Sequence, residues 1–194
     1  MKYLKIKYVI ILSISFLIVN KTMALETPKY DLIKKENGFE IREYQSMIIA
    51  TTKVQSDYGN ATSTGFRRIA NYIFGGNSAG MSIEMTAPVL TNVPDSQNIY
   101  EIQFVMPSEH SMEDLPKPST DNVTVKKVNL GKTAVLSFGG WATKNRASRY
   151  KDKLRDLLSS GGFKTNGKFM VAQYNSPWAI PPFRKNEIIV RIEQ

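Results

Sequence analysis

The first candidate for chemistry is His110, the single histidine of the chain, which lies in a proline-rich loop among carboxylates. Such a histidine can act as a general base, and its imidazole can ligate a metal or haem iron. A loop histidine beside acids more often titrates in solvent, and this interpretation is favoured. Because the chain has one histidine and no cysteine, multi-histidine metal sites, thiolate zinc, iron–sulfur clusters, disulfides and cysteine nucleophiles are excluded.

The second candidate is Glu84, which lies between apolar neighbours. If it faces a cavity it could bind a cation or orient a ligand, and if it faces solvent it is the polar half of an alternating strand. The outward orientation is favoured, and both stay open. Glu113 and Asp114 are adjacent acids without the fixed separation that glycosidase chemistry needs. No phosphate loop or nucleophile elbow occurs, so the residues favour a binding protein over an enzyme.

The charge of the chain depends strongly on the segment 1–24. The whole sequence carries a net charge of +9, and residues 1–24 hold four lysines and no acid, so residues 25–194 carry +5. A basic start, an apolar run over positions 9–19 and an ending in Ala24 predict a cleavable signal peptide. That run is too short to span a bilayer, which takes about 20 residues. We therefore expect export to a periplasm or secretion, with an uncleaved anchor as the alternative.

The rest of the chain forms two similar series of predicted elements. Period-2 alternation predicts strands, and apolar residues three and four apart predict helices, each ending at a glycine pair. Gln45 and Ser46 predict a hairpin turn between the first two strands. The eight expected strands cover residues 39–44, 47–54, 81–93, 99–106, 123–128, 133–138, 169–174 and 187–192. The two expected helices cover residues 66–74 and 144–158, which end at Gly75-Gly76 and Gly161-Gly162.

This order of elements predicts an internal repeat. Phe39, Ile41 and Ala50 correspond to Val123, Val125 and Ala134, and all three pairs have the same separation along the chain. We expect one domain over residues 25–194, with halves near 30–106 and 121–194. Its predicted fold is α+β, a distorted antiparallel barrel or sheet of about eight strands with two helices and a pseudo-two-fold. A cleft where the halves meet is a favoured place for a small-molecule pocket.

The apolar helix at 66–74 allows two interpretations. One face must pack against the sheet, which explains most of its apolar residues. Its large side chains cover more than one narrow stripe, so a flat aromatic ligand could also lie against it beside Arg67, Arg68 and Asn71. The basic residues elsewhere are dispersed among acids, so a nucleic-acid interface is not predicted.

Several motifs together resemble the SOUL haem-binding protein family, over residues 27–194. They are Gly75-Gly76-Asn77 followed by Met85-Thr86-Ala87-Pro88-Val89, then Phe104-Val105-Met106-Pro107-Ser108 followed by Glu113-Asp114-Leu115-Pro116-Lys117-Pro118, then Phe138-Gly139-Gly140, and finally Tyr174-Asn175-Ser176-Pro177-Trp178 followed by Pro182-Phe183-Arg184-Lys185-Asn186-Glu187-Ile188. The resemblance implies a distorted barrel similar to the effector-binding domains of bacterial multidrug-sensing regulators. It also implies a tetrapyrrole bound along the first helix.

Carried onto this chain, the resemblance implies a haem groove with a basic residue that pairs with a propionate. The basic residue is Arg68, and the other groove positions are Phe66, Ile69, Ala70, Asn71 and Ile73. Some family members have been assigned a histidine axial ligand, whereas no groove position here is a histidine. We therefore expect haem to be held by apolar contacts, with His110 as no essential ligand.

The function predicted from the sequence is an exported haem- or tetrapyrrole-binding protein without catalytic residues. The first alternative is a binding module for other hydrophobic or cationic small molecules, in which Glu84 lies beside the cleft. The second is an enzyme that acts on a tetrapyrrole or another apolar substrate, and the third is an envelope interaction protein. No stable membrane span is expected after the signal is cleaved.

Overall fold

A closed barrel of six antiparallel strands forms the centre of the computed structural model, which describes residues 25–95, 98–176 and 179–193. The barrel order is β2-β4-β3-β6-β7-β5, closed by pairing between β5 and β2, while β1 pairs with the first six residues of β2. In chain order the elements are β1 (Tyr30–Glu36), β2 (Phe39–Gln55), α1 (Tyr58–Ile73), β3 (Val89–Asn92), β4 (Ile99–Val105), β5 (Thr124–Gly139), α2 (Lys144–Ser160), β6 (Met170–Gln173), a 3₁₀ turn (Pro181–Phe183) and β7 (Lys185–Arg191). The predicted α+β class is confirmed.

The expected hairpin at Gln45 and Ser46 is wrong, because β2 runs through both residues as one strand of 17 residues. A two-residue hairpin turn requires positive φ, and no described residue other than glycine has it. The strand β5 is likewise continuous over 16 residues. In each long strand two expected strands are continuous, so the eight expected strands become six. The unexpected edge strand β1 brings the number within the described ranges to seven.

The internal repeat is confirmed by the register of the strands. Ala50 on β2 pairs with Phe104 on β4, and Ala134 on β5 pairs with Val190 on β7. Ala50 and Ala134 are equivalent positions of the two long strands, and each therefore pairs with the last strand of its own half. Each half contributes one long strand, one helix and two short strands, in the same order.

The first helix begins eight residues earlier than its apolar stripe predicts. Asp57 is the N-cap, and its carboxylate accepts a hydrogen bond of 3.0 Å from the backbone N–H of Asn60. Gly65 lets the helix approach β4 closely, since a Cβ there would lie 2.6 Å from the Ile102 side chain. The helix ends before Gly75, whose φ of +102° suits glycine, as expected.

The expected strand at 81–93 is much shorter in the structure. Only Val89–Asn92 is a strand, and it begins directly after Pro88, which cannot donate to a ladder. The segment before it is irregular, and Glu84 within it is exposed to solvent. The outward orientation of Glu84 is therefore confirmed, for a loop residue rather than a strand residue.

Three apolar clusters form the core of the described chain. Two lie outside the barrel, one beneath α1 and one beneath α2, and the third contains only side chains from strands and loops and fills the barrel interior. The interior cluster comprises Tyr44, Leu90, Leu130, Val135, Ala172 and Ile189. Because the interior is filled, space for a ligand is left outside the barrel, between the helices.

Two features are absent from the part of the chain that the structure describes. No helix in the described ranges is long and apolar enough to cross a membrane. Within the same ranges, no group of three or more histidine, aspartate or glutamate side chains could hold a metal ion. The signal peptide expected at residues 1–24 lies outside the described residues.

Candidate functional site

A cleft of about 770 Å³ lies where the two halves of the repeat meet. We call it the inter-repeat cleft. One wall is α1, the floor is formed by β3 and β4, and the other wall is formed by the start of α2 and the segments around β6 and β7. It is lined by Asp57, Tyr58, Gly59, Thr62, Ser63, Phe66, Arg67, Val89, Thr91, Ile102, Trp141, Ala142, Thr143, Lys144, Gln173, Asn175 and Arg184.

Aromatic side chains form the apolar part of both walls. On α1, Phe66 is half-buried and packs against Phe104, with ring centroids 5.3 Å apart. On the opposite wall the guanidinium carbon of Arg184 lies 3.6 Å from the centre of the Trp141 ring. This cation–π contact holds the indole in place although Trp141 lies before the start of α2.

Two buried hydroxyl groups of the lining residues have no hydrogen-bond partner among the described residues, those of Tyr58 and Thr91. Burial raises the pKa of Tyr58 to about 12, with a smaller contribution from Tyr100. The phenol therefore stays protonated at neutral pH and can donate. Native proteins satisfy nearly all buried polar atoms, so these two hydroxyls fit a site that receives a polar group from a ligand.

The rim of the cleft is mainly basic. Arg67 and Lys144 are exposed there, whereas Arg184 is buried, donates a hydrogen bond to the Ala179 carbonyl and lies against the indole of Trp141. Asp57 is the one carboxylate among the described lining residues, and it is engaged in capping α1. Such a rim favours a ligand that carries negative charge at its edge.

Of the six residues expected to form a haem groove, the structure brings only Phe66 to the inter-repeat cleft. Ile69 and Ile73 are fully buried in the cluster beneath α1, so their stripe is the face that packs on the sheet. Arg68 donates hydrogen bonds to Thr52 Oγ1 and to the Lys53 carbonyl, which places it over β2. The remaining two, the half-buried Ala70 and the exposed Asn71, do not line the cleft either.

His110 lines a different cavity of about 460 Å³, which shares no described lining residue with the inter-repeat cleft. Its Nε2 lies 3.6 Å from the Glu109 carboxylate, and its side chain is largely buried rather than fully solvated. Glu84 lines neither of these cavities. The cation-binding alternative therefore lacks the carboxylate on which it was based.

The buried carboxylate of the described chain is Glu187, which sequence analysis missed. It lies on β7 with no exposed side-chain area and accepts two hydrogen bonds of 3.1 Å from Arg42 on β2. The Tyr174 hydroxyl donates a third, at 2.5 Å, and Arg42 also donates to the Tyr44 hydroxyl. Burial alone raises the pKa of Glu187, but these hydrogen bonds outweigh it and hold the pKa below its usual value.

Sequence reasoning also missed the wall opposite Phe66. Trp141 follows the glycine pair at 139–140, and Arg184 lies near the end of the chain, so no spacing rule connects them. The available signal was their place in the motifs themselves, since Trp141 directly follows Phe138-Gly139-Gly140 and Arg184 lies within a second motif. A motif indicates a fold, but it does not by itself show which of its side chains meet in space.

The fold and the cleft together define a class of protein: a two-repeat barrel that offers a small-molecule pocket between its halves. The chain belongs to the SOUL heme-binding protein family, whose model matches residues 25–191. It is 31% identical to heme-binding protein 2 of Mus musculus over 180 residues, covering 87% of each chain. It is 32% identical to heme-binding protein 2 of Homo sapiens over 165 residues, covering 79% of this chain and 80% of the relative.

Solved structures of low sequence identity share the fold. The C-terminal domain of EcmrR has a TM-score of 0.60 at 12% identity, covering 85% of this chain and 98% of that chain. A hydrolase from Listeria innocua has a TM-score of 0.57 at 11% identity, covering 83% of this chain and 94% of that chain. At these identities the likeness concerns architecture alone.

Proposed function

We propose that this protein binds haem or a related tetrapyrrole in the inter-repeat cleft. The observation that carries the proposal is the cleft itself, with aromatic walls, a basic rim and a volume of about 770 Å³. Small-molecule sites occupy about 300 to 1,000 Å³ and are mostly apolar with a few polar groups. Membership of the SOUL heme-binding protein family and the names of the mammalian relatives support the same ligand.

The lining residues fit the chemistry of haem, which is a flat apolar ring with two carboxylates on one edge. Phe66 and Trp141 offer aromatic surface for the ring from opposite walls. Arg67 and Lys144 are exposed and offer positive charge at the rim for the propionates, and the buried Arg184 adds positive charge against the Trp141 ring. Arg67 and Lys144 take the role that the family resemblance implied for Arg68.

We infer that apolar contact, rather than ligation of the iron, holds the ring. The described lining residues include no histidine, methionine or cysteine, and the raised pKa of Tyr58 disfavours the phenolate that would ligate iron. Apolar burial contributes about 25 cal/mol per Å², which together with the rim cations gives an expected affinity in the micromolar range or better. Binding of this kind discriminates weakly among porphyrins.

The test is a titration of the processed protein, residues 25–194, with haemin, followed at the Soret band. We expect saturation at low micromolar haemin and about tenfold weaker binding for Trp141→Ala. Phe74→Ala is the matched control, because Phe74 is an exposed aromatic residue that does not line the cleft. No saturable change in the wild-type protein, or an equal loss in both variants, would reject the proposed site.

The role of the basic rim is tested by removing the negative charges of the ligand and, separately, the positive charges of the protein. Haemin dimethyl ester keeps the ring and loses both negative charges, so we expect it to bind at least about fivefold more weakly than haemin. In a variant with Arg67→Gln and Lys144→Gln, which leaves Arg184 and the indole of Trp141 in place, the two ligands should bind about equally. A persistent preference for haemin in that variant would show that the propionates lie elsewhere.

We further propose that the protein is exported, to a periplasm or to the medium. The basic start, the apolar run at 9–19 and Ala24 support cleavage after residue 24. Cleavage there would preserve the contacts of Glu26, whose carboxylate accepts from the Ser108 N–H and whose carbonyl accepts from the Ala87 N–H. Mass spectrometry of the expressed full-length chain should find Leu25 as the first residue, and an intact Met1 in the exported fraction would refute cleavage.

We propose binding without turnover, in agreement with the names of the relatives. A bound porphyrin should give a spectrum that is constant in time, and a progressive spectral change would indicate an enzyme instead. Displacement of haemin by lipophilic cations would favour the alternative of a site for cationic compounds. Since Glu84 lines neither described cavity, Glu84→Gln should leave any such displacement unchanged.

A further inference from the structure

The loop that precedes β7 exposes large apolar side chains close in the chain to Arg184, which lines the inter-repeat cleft. Phe183 is 75% exposed, Ile180 is 58% exposed and the neighbouring Trp141 is 49% exposed. Ile180 and Phe183 lie on one turn, since the Phe183 N–H donates to the Ile180 carbonyl, and the next residue, Arg184, contacts the Trp141 ring. Exposed apolar side chains grouped in this way are a candidate interaction site. We call these three residues the apolar tip.

Residues 181–184, which carry Phe183 and follow Ile180, have a backbone suited to an apolar medium. Pro181 and Pro182 have no N–H group, the Phe183 N–H donates to the Ile180 carbonyl, and the Arg184 N–H donates to the Pro181 carbonyl. These four consecutive residues therefore leave no backbone donor without an acceptor. An uncompensated backbone donor is costly to move out of water, and residues 181–184 carry none.

The charges around the apolar tip select the partner. Arg67 and Lys144 are exposed at the rim of the cleft, the exposed Lys185 follows the tip in the chain, and residues 25–194 carry a net charge of +5. An apolar wedge with basic flanks and a tryptophan at its edge is the pattern of proteins that dock at the surface of an anionic bilayer. Tryptophan is enriched at that depth of a membrane.

We propose that the apolar tip docks the protein on anionic lipid bilayers, with Ile180 and Phe183 inserted among the headgroups. Docking turns the mouth of the inter-repeat cleft toward the lipid, where apolar tetrapyrroles partition. Transfer of a tetrapyrrole between lipid and cleft rests on the proposed function. Lipid docking itself does not, because it depends only on the tip and its charges.

The test is flotation of the haem-free processed protein with vesicles of phosphatidylcholine that contain about one third phosphatidylglycerol as the anionic lipid. We expect binding that falls at least about fivefold on vesicles of phosphatidylcholine alone or at high salt. The double substitution Ile180→Ser with Phe183→Ser should lower the partition coefficient at least about tenfold. The matched control is Leu32→Ser with Ile33→Ser on β1, which removes two similarly exposed apolar side chains. It should change binding less than about twofold.

Depth of insertion gives a second, independent measurement. Because the chain has no cysteine, Ile180→Cys and Leu32→Cys can each be labelled at a single site with a nitroxide. On the mixed vesicles the label at residue 180 should become accessible to oxygen and protected from a water-soluble relaxant, while the label at residue 32 should stay in water. Absence of wild-type flotation, equal losses in the two double variants, or water exposure of both labels would overturn the proposal. Self-association that only the tip variant abolishes, without flotation, would overturn it too and assign the surface to a second copy.

Haemin titration of the double tip variant in vesicle-free solution separates the two proposals. If the double tip variant still saturates with haemin but no longer floats with the vesicles, both the haem site and lipid docking are supported. Flotation of a wild-type protein that fails to bind haemin would keep the docking surface and reject the proposed ligand.

Discussion

Arg42→Ala should destabilise the protein more than removal of any surface charge. Arg42 and Glu187 are 4% and 0% exposed and share two hydrogen bonds of 3.1 Å inside the barrel. Removing one partner of a buried ion pair costs about 3 to 5 kcal/mol, because the other charge stays buried without its partner. Tyr174 and Lys185 remain near the carboxylate, at 2.5 and 3.4 Å. We therefore expect a loss near the lower end, about 3 kcal/mol.

Urea unfolding, followed by circular dichroism, measures this loss. With a slope of about 2 kcal/mol per molar urea, a loss of about 3 kcal/mol lowers the midpoint by about 1.5 M. Arg155→Ala is the control, since Arg155 pairs with Asp95 at 3.0 Å on the surface and such pairs contribute about 1 kcal/mol or less. The double variant Arg42→Met with Glu187→Gln should recover much of the loss, because it leaves no buried charge.

Either of two results would refute the coupling of these buried charges. One is a loss below about 1 kcal/mol for Arg42→Ala at an unchanged slope, which would show that water or neighbouring groups solvate Glu187 fully. The other is a double variant whose loss equals the sum of the losses of Arg42→Met alone and Glu187→Gln alone, which would show that the two charges do not interact.

Three further predictions concern other parts of the molecule. Gly65→Ala should destabilise by about 1 to 3 kcal/mol in thermal unfolding, because its Cβ meets Ile102 at 2.6 Å, and a gain in stability would show that the helix shifts freely. Tyr58→Phe and His110→Ala should each leave the Soret band of bound haemin in place, whereas a large loss in either variant would identify that residue as an iron ligand. The lowered pKa of Glu187 stabilises the fold above the ordinary glutamate pKa of about 4.3, so the free energy of unfolding should fall as the pH drops below that value. Glu187→Gln should flatten that pH dependence, and an unchanged slope would contradict the assignment.

Sequence patterns predicted the elements that depend on local periodicity. Alternation placed the strands, and the apolar stripe and Gly75 placed the end of α1. Continuity of β2 through Gln45 was not predictable, because turn-forming residue types also occur in strands whose neighbours hold the backbone extended. The start of α1 was missed since Asp57 caps a polar first turn that carries no apolar signal.

The site was harder to predict, for a physical reason. A helix stripe shows that one face is buried without showing whether protein or ligand covers it, and Ile69 and Ile73 face the sheet. The opposite wall joins Trp141 and Arg184, which the pairing of β5 with β7 brings together from distant parts of the chain. In the same way Arg42 and Glu187 lie at opposite ends of the chain, and nothing local distinguishes them from surface charges.

The repeated strand register has a consequence for the history of the cleft. A polypeptide equal to one half would carry a single wall, and two such polypeptides related by a rotation would form a pocket with identical sides. Fusion of two copies into one gene frees each wall to change by itself. Here one wall has Phe66, and the other has Trp141 stacked on Arg184. A fused duplicate can therefore recognise a ligand with one apolar end and one charged end, which a symmetric ancestor would bind in two equivalent orientations.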